Sequence, residues 1–140
     1  MPSLTMSGDL DCLDQVEQFV KEVAQEAGLD AKAIYKLHLA VDEVVTNIVT
    51  YGYAASGLQG DITLSTSLSE EALTLTVEDS APFYDPFKKA APAINLPAEQ
   101  RAIGGLGIYL AVRSVDKFYY ERVAGKNHSV FIVLLNQLPD

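Results

Sequence analysis

Apolar positions recur along this chain with two periods, and each period marks out its own elements. Over residues 9–27, Leu13, Val16, Val20, Val23 and Ala27 fall on one face of a helix, and Gly28 ends it. Asp30 then reads as the N-cap of a second helix running to about residue 51, with Leu37, Ala40, Val41, Val44 and Ile48 as its apolar stripe. Gly52 and Gly57 mark the loop that follows. After them the period shortens to two. Residues 62–67 and 73–77 read as strands joined by a polar turn at Ser69-Glu70-Glu71, with Leu73, Leu75 and Val77 alternating with Thr74 and Thr76. Residues 4–7 fit a short edge strand, and 117–121 and 129–135 fit two more strands. Between 80 and 103 neither period holds. Four of the six prolines fall there (Pro82, Pro86, Pro92 and Pro97), the mark of a long functional loop, and a short helix is expected over 106–115. Helices that precede and interrupt hairpin-linked strands predict an α+β fold. The expected form is a two-layer sandwich of helices on a mixed, mostly antiparallel sheet.

Composition narrows the classes. With 140 residues, 49% of them hydrophobic, the chain has the size and apolar content of a single domain spanning 1–140. Its formal charge of −9 argues against a nucleic-acid surface. The lone Cys12 cannot form an intrachain disulfide and reads as a small packing residue on the first helix. Residues 1–8 lack a signal-peptide pattern, and no run reaches the roughly 20 apolar residues of a membrane span. The expectation is a cytoplasmic chain that binds neither nucleic acid nor membrane.

Three segments carry candidate chemistry. Glu43 and Asn47 lie four apart on the second helix, so they share a face. A glutamate there can accept a proton from an attacking hydroxyl or water, and an asparagine oxygen is a hard neutral ligand suited to Mg²⁺. A solvated pair on a polar face is the plainer use. Asp79 ends the alternating strand, where a buried carboxylate can accept a hydrogen bond from the amine of adenine; a turn-initiating aspartate is the alternative. Gly104, Gly105 and Gly107 open the short helix. Backbone N–H groups can approach phosphate oxygens there, or the glycines can serve as a hinge. Neither the P-loop lysine nor a dinucleotide fingerprint accompanies them. Lys88, Lys89 and Arg101 either neutralise phosphate charge or keep the long loop solvated. His38, on the second helix, and His128, expected in the last turn, have no metal-ligand spacing and read as surface or packing residues. No serine sits in a pattern suggesting a nucleophilic triad.

In this order and spacing the segments resemble the GHKL ATPase superfamily with its Bergerat ATP-binding fold. Within it, the chain is similar to the small bacterial anti-sigma factor serine/threonine kinases. The resemblance rests on 39–47 (Leu-Ala-Val-Asp-Glu-Val-Val-Thr-Asn) with Tyr51-Gly52-Tyr53, on Val77-Glu78-Asp79 with Asp85-Pro86, and on Gly104-Gly105-Leu106-Gly107-Ile108. It implies one histidine-kinase-like ATPase domain over 1–140, with Glu43 as catalytic base and Asn47 as magnesium ligand. Asp79 would be the adenine-reading carboxylate, with Ala81 and Arg101 beside the nucleotide. Gly104, Gly105, Leu106 and Gly107 would face the phosphates, and residues 86–103 would form a lid. Three positions depart from the pattern. Ala81 stands where the family usually has glycine, which puts a methyl group in the turn. Ile103 stands where a basic residue is common, with Arg101 two positions earlier. Tyr51 replaces a frequent histidine.

The resemblance further implies ATP and Mg²⁺ as cofactors, a homodimer, and two partners. One is a sigma factor that the protein sequesters, the other a STAS-type antagonist that it phosphorylates on serine or threonine. Two other readings stay open at this point: an ATP-sensing protein-binding switch with little or no transfer, and an α+β domain that binds no nucleotide.

Overall fold

The computed structural model describes residues 2–82 and 115–135. The short helix expected over 106–115, its last residue excepted, and all but the first residues of the proline-rich loop lie outside this set.

The chain enters as strand β1 (Ser3–Ser7). Asp9 then caps a single 3₁₀ turn, Leu10–Cys12, its carboxylate accepting from Asp11 N–H at 3.0 Å, before helix α1 (Leu13–Glu26) begins. The helix expected over 9–27 is thus a 3₁₀ entry followed by an α segment. Val16, Phe19, Val20, Val23 and Ala24 bury its apolar face. Gly28 ends it in the left-handed region at φ +82°. There Leu29 N–H reaches Ala24 O at 3.1 Å and Gly28 N–H reaches Gln25 O at 3.0 Å, which satisfies two orphan carbonyls. Asp30 caps helix α2 (Ala31–Asn47), accepting from Ala33 N–H at 2.8 Å.

Beyond Asn47 the helical path continues but changes gauge. A wider π-helical turn, Ile48–Tyr53, leads into a 3₁₀ turn, Ala54–Ser56. Four further strands follow: β2 (Asp61–Leu68), β3 (Ala72–Asp79), β4 (Lys117–Val123) and β5 (Lys126–Leu134). They form one sheet with β1, in the order β1-β2-β3-β5-β4, and all four pairings are antiparallel. A two-residue turn at Ala124 and Gly125, both at positive φ, joins β4 to β5.

The two helices pack on one face of this sheet. Val16, Val20, Leu37, Val41 and Val44 meet Ile62, Leu64, Leu73, Leu75, Val77 and Phe131 in a shared core. This is the two-layer α+β arrangement expected from the pattern. The opposite face carries Thr5 and Thr63, whose hydroxyls lie 3.0 Å apart, together with Glu78 and His128. His128 is therefore a strand residue of β5 and not part of a turn. The apolar run that follows it concealed where the strand begins. Among the described residues, no helix is long and apolar enough to cross a membrane.

Tyr53 joins the helical layer to the sheet. Its buried ring sits between Gly8 and Gly60, and its hydroxyl donates to Asp61 O at 2.7 Å and accepts from Ser80 N–H at 2.9 Å. A Cβ on Gly8 would lie 2.6 Å from Gly60 O and 2.8 Å from the Tyr53 ring, so this glycine is required by close approach. Gly8→Ala is expected to lower unfolding free energy by about 1–3 kcal/mol, measured by urea denaturation.

Candidate functional site

The last turn of α2 carries Glu43 and Asn47. Asn47 is 1% exposed, and its Nδ2 donates to the backbone carbonyl of Glu43 at 2.8 Å. This bond fixes the amide and turns Oδ1 the other way. Among the described residues, Asn47 Oδ1 is the buried side-chain polar atom that finds no partner. A buried acceptor left unsatisfied costs about 1–3 kcal/mol, and a bound ligand is one of the few explanations for keeping it. The oxygen is neutral and hard, and it suits a divalent cation that takes most of its other ligands from water and phosphate. Glu43 is half-buried. Burial, and then the neighbouring Asp42, push its carboxyl above the usual glutamate range. The link between the pair runs through the Glu43 backbone, so the Glu43 carboxyl is not committed to Asn47.

The second cluster forms where β3 ends. The alternation that buries Leu73, Leu75 and Val77 also turns Asp79 inward, and Asp79 is 3% exposed. Its Oδ1 accepts two hydrogen bonds, from Asn127 Nδ2 at 2.8 Å and from Ala81 N–H at 2.9 Å. Burial raises its pKa. The bonds from Asn127 and Ala81 and the nearby Arg122 charge oppose that rise but do not cancel it. The preceding residue, Glu78, points to the other face and behaves oppositely. Burial lifts its pKa, yet hydrogen bonds from His128 (2.9 Å) and Lys126 (3.4 Å) outweigh this and hold it below the usual value.

The π-helical turn links the end of α2 to the end of β3. It carries Tyr53 to the Ser80 N–H and lays Gly52 against Ala81. A Cβ on Gly52 would fall 3.0 Å from the Ala81 methyl. That methyl, expected as an intrusion on the turn, is 1% exposed and packs into the core against the one residue type that leaves it room. The stretch that follows Asn47 thus touches Ser80 and Ala81, the residues just after Asp79. Arg101, Gly104, Gly105, Leu106 and Gly107 lie outside the described residues, as do Lys88, Lys89 and Ile103. A groove among the described residues lies elsewhere. It is lined by Gly28, Lys32, Lys36, Asp116 and Leu134, at the end of β3 and β5 away from Asp79.

Sequence reasoning gave Tyr53, quoted only for the resemblance, no role, and missed three further contributors: Tyr120, Arg122 and Asn127. The last accepts from Arg122 Nη1 at 2.8 Å and from the Tyr120 hydroxyl. No local signal marks Asn127. Its role appears only once the register sets it opposite Asp79.

The two-layer sandwich therefore carries a Glu-Asn pair on its second helix and a buried aspartate at the end of a central strand. A family model described as the histidine kinase-like ATPase domain matches residues 6–133. The chain belongs to that family. Among curated relatives of this ATPase-domain chain, a serine-protein kinase RsbW of Listeria monocytogenes serotype 4a (strain HCC23) is 30% identical over 105 residues. That match covers 71% of this chain and 66% of the kinase. The serine-protein kinase RsbW of Halalkalibacterium halodurans is 26% identical over 126 residues, 87% of this chain and 76% of the kinase. The crystal structure of the RsbU and RsbW domains of Rv1364c from Mycobacterium tuberculosis shares the fold with a TM-score of 0.64. It is 20% identical, over 96% of this chain and 33% of that one. The histidine kinase domain of the blue-light activated kinase of Erythrobacter litoralis EL346 is similar at a TM-score of 0.53. It is 16% identical, over 89% of this chain and 61% of that one.

Two outcomes are expected of this junction. Gly52→Ala should lower the melting temperature, and adding Ala81→Gly should recover most of the loss, because the two residues compete for one volume; a thermal-melt double-mutant cycle measures this. Asp79 carries a raised pKa, so the folded state holds its proton longer than the unfolded state. Stability therefore falls as pH rises from the ordinary aspartate value through the raised one, and the full penalty remains at neutral pH. Asp79→Asn lacks this titration. Its stability relative to wild type should be greatest at neutral pH and should shrink as acid is added, followed by urea melts across pH.

Proposed function

We propose that this protein binds Mg²⁺-ATP and is a protein serine/threonine kinase that acts as an anti-sigma regulatory factor. On this reading it phosphorylates a STAS-type antagonist and sequesters a sigma factor, working as a cytoplasmic homodimer. The observation that carries the reading is the buried, unpartnered Asn47 Oδ1, on a helix whose continuation touches the residues just after the buried Asp79 carboxylate. Membership of the histidine kinase-like ATPase domain family and the serine-protein kinase names of its relatives support it.

In this reading Asp79 accepts a hydrogen bond from the adenine amine. Asn47 Oδ1 would hold Mg²⁺, whose charge would be set against that of the phosphates. Glu43, whose carboxylate burial makes more basic, orients the partner's serine hydroxyl and takes up its proton. The bond from the serine oxygen to the γ-phosphorus forms as the bond from that phosphorus to the bridging oxygen breaks, leaving ADP. The proposal extends to Gly104, Gly105, Leu106 and Gly107 as phosphate-facing backbone and to Arg101 as a nearby cation. The tight packing of Ala81 against Gly52 removes one motive for the alternative switch reading, since the methyl does not have to crowd a base.

Incubation with γ-labelled Mg²⁺-ATP and a candidate STAS antagonist tests the proposal. Label is expected on serine or threonine, and Glu43→Ala should reduce its rate by about 10²-fold or more while ATP still binds. ATP binding without transfer by wild type would favour the switch. No heat on titration with millimolar Mg²⁺-ATP would overturn both.

A further inference from the structure

We infer that Asn127 is the positioning residue that sets the purine preference of this site, by fixing which oxygen of Asp79 meets the base. The inference rests on the nucleotide reading above and adds to it a residue and a basis for selectivity. The register of β3 and β5 places Asn127 directly opposite Asp79 on the inner face, where it is 1% exposed. An asparagine buried there must use its whole hydrogen-bonding capacity, and it does. Nδ2 donates to Asp79 Oδ1 at 2.8 Å and to Ala81 O at 3.0 Å. Oδ1 accepts from Arg122 Nη1 at 2.8 Å and from the Tyr120 hydroxyl.

The chemistry of these partners dictates the orientation of the amide. A carboxylate and a carbonyl face one end and can only accept, whereas a guanidinium faces the other and can only donate. A flipped amide would set like against like at both ends. Arg122 Nη1 also reaches Ala81 O at 3.2 Å, so one cation braces both the amide and the turn.

Asp79 Oδ1 consequently receives two donors, Asn127 Nδ2 and Ala81 N–H, and is fully engaged as an acceptor. Neither of these bonds uses Oδ2, which leaves that oxygen to meet a base. An ionised Oδ2 accepts from an exocyclic amine and repels a carbonyl at the same ring position. Selectivity for a 6-amino purine over a 6-oxo purine therefore depends on Asn127 holding the carboxylate in one rotation. Arg122 acts one step further out, by holding Asn127.

The test is the ratio of affinities for ATP and ITP, whose bases differ in the group at position 6, measured by titration calorimetry beside a thermal melt of each variant. Wild type is expected to prefer ATP. Asn127→Ala should shrink that preference roughly tenfold or more. Arg122→Met, at an exposed residue, should shrink it less, and Arg122→Lys should restore part of it. If Asn127→Ala does not fold, the two Arg122 variants decide. A lower melting temperature with an unchanged ratio in every folded variant would mean that Asn127 only stabilises the sheet end, and would overturn the inference while leaving the nucleotide site standing. Failure of wild type to bind either nucleotide would instead overturn the nucleotide reading, and this inference with it.

Discussion

The structure depends on burying one carboxylate at the end of a strand. Period-two alternation puts Asp79 in the same row as Leu73, Leu75 and Val77, and a carboxylate taken out of water must be matched by donors. Two come from the immediate surroundings, the Ala81 N–H after the strand and the Asn127 amide across from it. Meeting that need fixes much else. It sets the turn after β3, it requires a polar residue at the start of β5, and it recruits Tyr120 and Arg122 from β4 to satisfy that residue in turn.

The helical layer meets this strand end through a change of helical gauge. Had α2 continued in regular α geometry, the residues after Asn47 would have come round at different angles to the sheet. The wider turn carries Gly52 onto Ala81 and Tyr53 onto Ser80, and glycines at 8 and 60 make the slot for the Tyr53 ring. A π turn beside a candidate site is a common association. Here its geometric effect is specific: it ties the helix bearing Glu43 and Asn47 to the strand bearing Asp79.

Much of this was legible in the sequence because it is local. The apolar stripes of α1 and α2, the Asp30 cap, the Gly28 stop and the alternation of β3 are written within a few residues of where they act. The Glu43 and Asn47 pair was legible as a spacing, though the bond that joins them uses a backbone carbonyl, which no spacing reveals. What escaped is non-local. Asn127 gains its meaning from register with a strand 48 residues earlier in the chain. Tyr53 acts through a bond to Ser80 and a slot lined by Gly8 and Gly60. The β4–β5 hairpin turns on an Ala-Gly pair, a weaker signal than Asn-Gly, which is why β5 was expected to begin three residues late. The family resemblance supplied roles for the site residues that neither period nor composition could supply.

The neighbouring acids Glu78 and Asp79 point to opposite sides of one strand and are displaced in opposite directions from their ordinary titration. As a solution is acidified, the inward residue takes its proton first, while the outward one keeps its charge and its contacts with His128 and Lys126. One strand thus carries two adjacent acids that lose their charge in sequence, the core-facing one before the one that ties the outer surface of the sheet.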